Sequence, residues 1–92
     1  MRIVVYSKNN CIYCTKAKGL LDKLNLKYTE KKFEDFESVD DFKKDIGKQV
    51  RTMPQIKING EVIGGYNQLV EHFTNEGLVN YKGEIIERQR QG

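Results

Sequence analysis

The stretch Lys8-Asn9-Asn10-Cys11-Ile12-Tyr13-Cys14 decides the fold, because the rest of the chain can be organised around it. It contains both cysteines of the protein, three positions apart. A β-prone run at residues 3–6 precedes it, and apolar residues with helical spacing follow it. At positions i and i+3 of a helix, two Cα atoms lie about 5 Å apart, a separation that a disulfide tolerates. The stretch therefore predicts a redox pair between a strand and a helix.

The two thiols are expected to differ in reactivity. Cys11 lies where the turn becomes the helix, so it faces unpaired N–H groups and the positive end of the helix dipole, with Lys8 nearby. Such surroundings lower the pKa of a cysteine from about 8.5 into the range of roughly 3.5–7.5. Cys14 lies one turn further along and should be more buried. We therefore predict that Cys11 is the nucleophile and that Cys14 is the resolving thiol.

The remaining segments predict five further elements. Residues 27–33 indicate a strand near a sheet edge, and the spacing of Ser38 and Asp41 resembles a capping box that starts a short helix. The Asn59-Gly60 pair between apolar runs is typical of a type I′ hairpin. The apolar stripes of the three helices are Tyr13, Ala17, Leu20, Leu21 and Leu24; Val39, Phe42 and Ile46; and Tyr66, Leu69, Val70 and Phe73.

This order, β-α-β-α-β-β-α, predicts an α/β fold with a four-stranded mixed sheet and helices on both faces, which is the thioredoxin-type arrangement. We expect one domain at residues 1–77 and a partly ordered C-terminal extension at residues 78–92. Within the extension, Leu78, Val79 and Tyr81 are expected to dock on the body, residues 84–86 to pair or pack briefly, and residues 87–92 to fray.

Composition excludes several classes of function. The formal net charge is +3, and the basic residues are mixed with acidic ones, which argues against nucleic-acid binding. No apolar run approaches the roughly 20 residues of a membrane-spanning helix. The N-terminal segment lacks the pattern of a signal peptide, so we expect a cytoplasmic protein, in which a close cysteine pair indicates catalysis or metal binding.

Zinc is the main structural alternative for the cysteines. A structural zinc site takes four ligands, whereas the chain offers one histidine, His72, beyond Cys11 and Cys14. We therefore expect no bound metal, and we expect His72 to be a surface residue or one with its polar groups satisfied.

The sequence resembles the glutaredoxins, specifically the small dithiol type of bacteria and phages. The resemblance runs from Arg2 to about Phe73. It rests on four motifs in order: Lys8-x-x-Cys11-x-Tyr13-Cys14, Thr52-Met53-Pro54-Gln55-Ile56, the Asn59-Gly60 hairpin, and Ile63-Gly64-Gly65-Tyr66-Asn67-Gln68-Leu69.

The resemblance implies a site for glutathione, which would form a mixed disulfide with Cys11. By that analogy Lys8 meets the glycyl carboxylate, Tyr13 lines the groove, and the backbone of Met53 before a cis Pro54 pairs with the cysteinyl unit. The γ-glutamyl end would lie at the start of the last helix, where N–H groups favour a carboxylate. The residues implied there are Gly65, Tyr66 and Asn67, and the candidates for the groove rim are Thr52, Lys48, Gln49 and Arg51.

Three features depart from the usual pattern of the family. Ile12 stands where proline is usual, which is expected to loosen the first helical turn and to alter the redox potential. Asn67 and Gln68 are neutral where an aspartate is common, so they supply no salt bridge to the glutamyl amino group. Tyr66 replaces a frequent cysteine.

The activity implied is glutathione-dependent thiol–disulfide exchange by a monomer, acting on protein disulfides or glutathionylated proteins, with ribonucleotide reductase as a possible acceptor. Two alternatives stay open. One is a disulfide reductase of the same fold that draws electrons from thioredoxin reductase. The other is a non-enzymatic module that bridges an iron–sulfur cluster through Cys11 and glutathione.

Overall fold

The computed structural model describes residues 1–80 and 82–86. The predicted element order is confirmed: β1 (Ile3–Ser7), α1 (Ile12–Lys23), β2 (Thr29–Lys32), α2 (Val39–Ile46), β3 (Gln55–Ile58), β4 (Glu61–Gly64) and α3 (Tyr66–Asn75). A single 3₁₀ turn, Phe33–Asp35, follows β2. Tyr81 and residues 87–92, which were predicted to dock and to fray, lie outside the described residues.

The sheet has the order β2-β1-β3-β4. Strand β1 pairs in parallel with β2 and antiparallel with β3, and β3 pairs antiparallel with β4. The central position of β1 and the edge position of β2 are therefore as predicted. Asn59 and Gly60 both have positive φ, 53° and 87°, as a type I′ hairpin requires.

The two faces of the sheet carry separate apolar clusters, because successive side chains of a strand point to opposite faces. On one face, Ile3 and Val5 of β1 join the buried stripes of α1 and α3, including Leu21 and Phe73. On the other face, Tyr6 packs with Phe42 and Ile46 of α2. The sheet is therefore covered on both faces, and the C-terminal end of β1 delivers the chain to the cysteine stretch.

Two members of the predicted stripes were assigned wrongly. Tyr13 is 54% exposed, whereas Cys14 is 1% exposed and takes the place in the core of α1. Tyr13 lies four residues before Ala17 and Cys14 lies three residues before it, so both positions fit helical spacing. The small apolar thiol of Cys14 is buried, whereas the phenol of Tyr13 stays at the surface. Val39, the first residue of α2, is 49% exposed.

The caps of α2 match the sequence pattern. The Ser38 Oγ accepts the N–H of Asp41 at 3.0 Å, and Gly47 ends the helix with φ of 83°. Gly77 follows α3 with φ of 77°.

Some of the described residues after α3, within 76–80 and 82–86, pack against the rest of the structure. Val79 is fully buried in the cluster under α1 and α3, and it forms an antiparallel bridge with Ile85. The Asn80 N–H donates to the Glu84 carbonyl at 2.9 Å. Residues on both sides of the domain boundary predicted at residue 77 therefore share one core. In the described part of the chain, none of the helices has the length and apolar character needed to span a bilayer.

Candidate active site

Cys11 and Cys14 form a disulfide across the first turn of α1. Their Cα atoms are 5.2 Å apart, close to the separation expected from helical spacing. Cys11 is the N-cap residue of α1, and its Sγ accepts the N–H of Cys14 at 3.2 Å. Cys14 is buried, whereas Cys11 is partly exposed. This unequal access agrees with an outer, attacking thiol and an inner, resolving one.

A hydrogen-bonded cluster fixes the strand that leads into the disulfide. Ser7, the last residue of β1, is buried and donates its hydroxyl to Glu30 Oε2 at 2.7 Å. Lys18 of α1 forms an ion pair with the same oxygen at 2.8 Å. The hydrogen bond from Lys18 and then that from Ser7 lower the pKa of the Glu30 carboxyl. The cluster joins β1, β2 and α1 beneath the turn of residues 8–10.

The loop before β3 is held in a defined shape beside α3. The Met53–Pro54 peptide bond is cis, and Pro54 is buried. Gln55, also buried, donates its Nε2 to the Thr52 carbonyl at 2.9 Å. A Cβ at Gly65 would lie 3.2 Å from the Pro54 carbonyl oxygen, so the glycine permits the close approach of α3 to this loop.

Gln68 caps the start of α3. Its Oε1 accepts the Gly65 N–H at 2.9 Å, one of the donors that a helix start leaves unpaired. The side chain of Gln68 lies over Gly64, where an added Cβ would be 2.7 Å away and where φ is 120°. The Gly64-Gly65 pair is therefore required by this packing. The Gln68 amide, which departs from the usual pattern of the family, therefore has a structural role at the start of α3.

These segments enclose a groove of about 270 Å³, which we call the central groove. It is lined by seven of the residues predicted for ligand binding and by Gln68: Tyr13, Thr52, Met53, Pro54, Gly65, Tyr66, Asn67 and Gln68. Residues from three distant parts of the sequence thus meet in the central groove, and one of them, Tyr13, lies between the two cysteines in sequence.

One wall of the central groove is aromatic and carries a cation. The rings of Tyr13 and Tyr66 are 6.0 Å apart between centroids. The Lys16 Nζ lies 5.3 Å from the centroid of Tyr13 and 6.0 Å from that of Tyr66. Lys16 was not predicted as a site residue, although its position three residues after Tyr13 on a helix places the two side chains together.

The other predicted residues lie outside the central groove. Lys8, Cys11 and Cys14 line a separate open cleft of about 550 Å³ together with Lys18 and Glu30. Arg51 lines a further cleft on the side of α2, with Lys8 and Met53. Lys48 and Gln49, suggested for the rim, lie together at the C-terminal end of α2, away from the groove.

Among residues 1–80 and 82–86 no cluster of three or more His, Cys, Asp and Glu side chains is arranged to hold a metal ion. His72 lies on α3 with its Nε2 3.5 Å from Glu76 Oε2 and its ring edge-on to Phe73.

The model of the protein family described as Glutaredoxin matches residues 3–63, more than half of the 92-residue chain. The chain belongs to the glutaredoxin family. Glutaredoxins are thiol–disulfide oxidoreductases, and the Cys11–Cys14 pair supplies the group that this chemistry needs.

Relatives from bacteria and mammals match this glutaredoxin. Glutaredoxin 1 of Rickettsia conorii is 39% identical over 89 residues, which cover 95% of this chain and 82% of the relative. Glutaredoxin 1 of Escherichia coli is 33% identical over 73 residues, with 72% and 85% covered. The match to bovine mitochondrial glutaredoxin-2 is 37% identical and covers 68% of this chain, but it spans only 41% of that protein.

Solved structures support the same fold. The reduced glutaredoxin of Escherichia coli has a TM-score of 0.66 at 30% identity, with 85% of this chain and 98% of that chain covered. A buckwheat glutaredoxin in complex with glutathione has a TM-score of 0.69 at 30% identity, with 86% and 74% covered.

Proposed function

We propose that this glutaredoxin reduces protein disulfides and glutathione mixed disulfides, and that glutathione is its reductant. One observation carries the proposal: the central groove combines a cis-proline loop, a helix N-terminus and an aromatic wall that includes Tyr13, the residue just before Cys14, with Lys16 over the Tyr13 ring. Glutathione is a short anionic peptide with a thiol, and each of these features suits one part of it. The buckwheat structure supports the idea, because that relative is a complex with glutathione.

The chemistry begins at the reduced pair. The Cys11 thiolate attacks one sulfur of a substrate disulfide, a new Cys11–substrate disulfide forms, and the other substrate sulfur leaves as a thiolate that takes a proton. Cys14 then attacks Cys11, which releases the reduced substrate and regenerates the Cys11–Cys14 disulfide. Two molecules of glutathione reduce that disulfide in two exchanges and leave as glutathione disulfide.

The N-terminus of α1 supports the first attack. The Cys14 N–H already points at Cys11 Sγ, and this donor would stabilise the negative charge of a thiolate at Cys11. The dipole of α1 acts in the same direction. Cys14 reaches its partner sulfur without rearrangement of the helix, since the Cα atoms are already within the distance of a disulfide.

Glutathione binding would use the remaining features of the central groove. The backbone of Met53 would pair with the cysteinyl unit like an added strand. Outside the central groove, Lys8 and Arg51, which line the cleft on the side of α2 with Met53, would meet the glycyl carboxylate. At α3, Gln68 already occupies the Gly65 N–H, so the γ-glutamyl carboxylate is expected to use the N–H groups of Tyr66 and Asn67.

Mass spectrometry of the Cys14→Ser variant tests nucleophile and ligand together. After treatment with glutathione disulfide, we expect one glutathione adduct on Cys11, because the resolving thiol is absent. The reverse variant, Cys11→Ser, is expected to lose disulfide reductase activity by at least about a thousandfold, since the attacking atom is removed. Retained activity in Cys11→Ser, or an adduct confined to Cys14 in the wild-type protein, would refute the assignment.

Turnover with glutathione should be compared directly with turnover with thioredoxin reductase. Faster turnover with thioredoxin reductase would contradict the glutathione proposal and favour the alternative electron source. Ribonucleotide reductase as acceptor, a monomeric state and a cytoplasmic location remain predictions from the sequence.

A further inference from the structure

The cleft on the side of α2 has a volume of about 420 Å³ and shares Lys8 with the cleft that holds the disulfide; we call it the α2 cleft. Its floor is apolar and unusually open for such side chains: Phe33 is 37% exposed and Val39 is 49% exposed. The Phe33 ring stands edge-on to Phe42, with 5.3 Å between centroids, so the floor is held by packing underneath it. Exposed apolar surface next to a reactive disulfide indicates a contact site rather than a packed core.

The rim of the α2 cleft is cationic. Lys8, Lys43 and Arg51 line it, and its lining includes no carboxylate. Three positive charges around an apolar floor favour a ligand that combines an apolar side chain with nearby negative charge.

The α2 cleft continues the central groove. Met53 lines both, so a peptide that pairs with the backbone of Met53 would leave the central groove into the α2 cleft. Lys8, three residues before Cys11, lines it too. Glutathione ends in glycine, which has no side chain to cover Phe33 and Val39. A protein substrate carries a side chain at that position.

We propose that the α2 cleft docks protein substrates, binding the apolar side chain that follows the reacting cysteine and the acidic residues beyond it. The direction of the bound segment rests on the proposed orientation of glutathione in the central groove. The substrate class is thus a disulfide whose cysteine is followed by an apolar residue and then by carboxylates. Reduction itself follows the exchange already described, with the Cys11–Cys14 dithiol as the reductant.

Symmetric peptide disulfides test this selectivity without glutathione. The probe is the disulfide dimer of acetyl-Ala-Cys-Phe-Glu-Glu-amide, compared with a dimer that has Gly in place of Phe and a dimer that has Lys in place of both Glu. The pre-reduced protein is mixed with each dimer, and the second-order rate of thiol release is measured in a single turnover. We expect the Phe-Glu peptide to react about tenfold faster than each comparison peptide at low salt.

Variants of the cleft locate the selectivity. Val39→Asp places a charge on the exposed floor at the first position of α2, where an acidic residue suits the helix. We expect it to reduce the Phe-to-Gly rate ratio from about ten to near one. Lys43→Glu should lower the Glu-to-Lys ratio by a similar factor, whereas the matched control Lys44→Glu, one position along the same helix and outside the cleft, should leave both ratios unchanged.

Each ratio is taken within one variant, so partial loss of folding or of intrinsic reactivity cancels. Equal rates for the Phe and Gly peptides in the wild-type protein would overturn the proposal, as would an unchanged ratio in Val39→Asp. Glutathione turnover is measured separately, with the mixed disulfide of glutathione and 2-mercaptoethanol. Its failure would refute the proposed function while leaving the peptide ratios as an independent result.

Discussion

Ile12 is the first residue of α1, and its side chain is 72% exposed. The residue before it, Cys11, has φ of −120° and ψ of 105°, the extended region that a residue preceding proline prefers. The first N–H of a helix has no intrahelical acceptor, so proline would remove no helical hydrogen bond there. The backbone at residue 12 is therefore already compatible with proline, and α1 starts at Ile12 without it.

Ile12→Pro is accordingly expected to stabilise the oxidised protein by about 0.4–1 kcal/mol, because it reduces the conformational freedom of the unfolded chain. The measurement is the free energy of unfolding from urea titration. Ile12→Ala is the control, since it removes the same exposed side chain without restricting φ. A loss of stability in Ile12→Pro relative to Ile12→Ala would show that the turn cannot accept proline.

At single residues, the sequence predicted the relative access of the two cysteines but not the burial of every helical position. The unequal roles of Cys11 and Cys14 followed from their positions at a helix start, and the structure places them with unequal access. Tyr13 was wrongly assigned to the core because helical spacing alone does not distinguish it from Cys14. Gln55 and Gln68 were given no structural role, since nothing local in the sequence reveals which distant backbone group a side-chain amide will meet.

At the scale of elements, the turn after α3 supports the central groove. Gly83 has φ of 82°, and a Cβ added there would lie 3.1 Å from the Tyr66 Oη and 3.6 Å from Val70. The turn is closed by Asn80, whose Oδ1 accepts the N–H groups of Lys82 and Glu84. The family model matches residues 3–63, so the turn at Gly83 that supports Tyr66 lies beyond the matched region.

Gly83→Ala is expected to destabilise the protein by about 1–2 kcal/mol and to raise the KM for glutathione several-fold, because it displaces the Tyr66 ring. Gly47→Ala is the matched control: its φ is 83°, and an added Cβ there meets nothing within 4 Å. The control should lose similar backbone stability but keep the wild-type KM. An equal KM in both variants would show that the turn does not position Tyr66.

The elements themselves were largely predictable. Period-two and helical patterns, the Ser38 cap and the Asn59-Gly60 turn each depend on residues close in sequence, so local chemistry suffices. The docking of α3 on the Pro54 loop was harder to predict from the sequence. It depends on the absence of a side chain at Gly65, opposite the Pro54 carbonyl, which is distant in sequence. For the segment after Gly77, the docking expected of Leu78 and Val79 agrees with the structure, in which Val79 is fully buried and Leu78 packs against the same cluster.

At the scale of the whole molecule, two polar clusters join the layers. The first is that of Ser7, Lys18 and Glu30 beneath the cysteine turn. In the second, Asp45 near the end of α2 accepts hydrogen bonds from Lys31 at 2.9 Å and Tyr6 at 2.8 Å, while Lys57 donates to its backbone carbonyl. The hydrogen bond from Lys31 and then that from Tyr6 lower the pKa of Asp45. Three strands are thereby tied to α2 on one face.

These carboxylates make stability depend on pH in a definite direction. The pKa values of Glu30 and Asp45 are lower in the folded protein than their ordinary values. The unfolded chain therefore takes up protons at higher pH than the folded one does. The stabilisation that these two carboxylates give the folded protein is complete above their ordinary pKa values, near 4. It is lost as the pH falls through their lowered pKa values in the folded protein.

Glu30→Gln is expected to lower the free energy of unfolding by about 1 kcal/mol at pH 7 and to flatten its decline between about pH 5 and pH 3. Part of the decline in the free energy of unfolding with falling pH should persist in this variant, because Asp45 still titrates in the same range. The measurement is urea unfolding at a series of pH values, with the exposed Glu61→Gln of β4 as the control. An unchanged slope in Glu30→Gln would contradict the assignment.

The central place of β1 also has a consequence for synthesis on the ribosome. Its parallel partner β2 is made soon afterwards, but its other edge pairs with β3, and Ile3 lies opposite Ile58. At translation rates of about 5–20 residues per second, one edge of the first strand stays open for roughly 3–11 s after it is made. The nascent chain thus completes its sheet late, and the cysteine stretch is synthesised well before the Thr52–Pro54 loop that will face it.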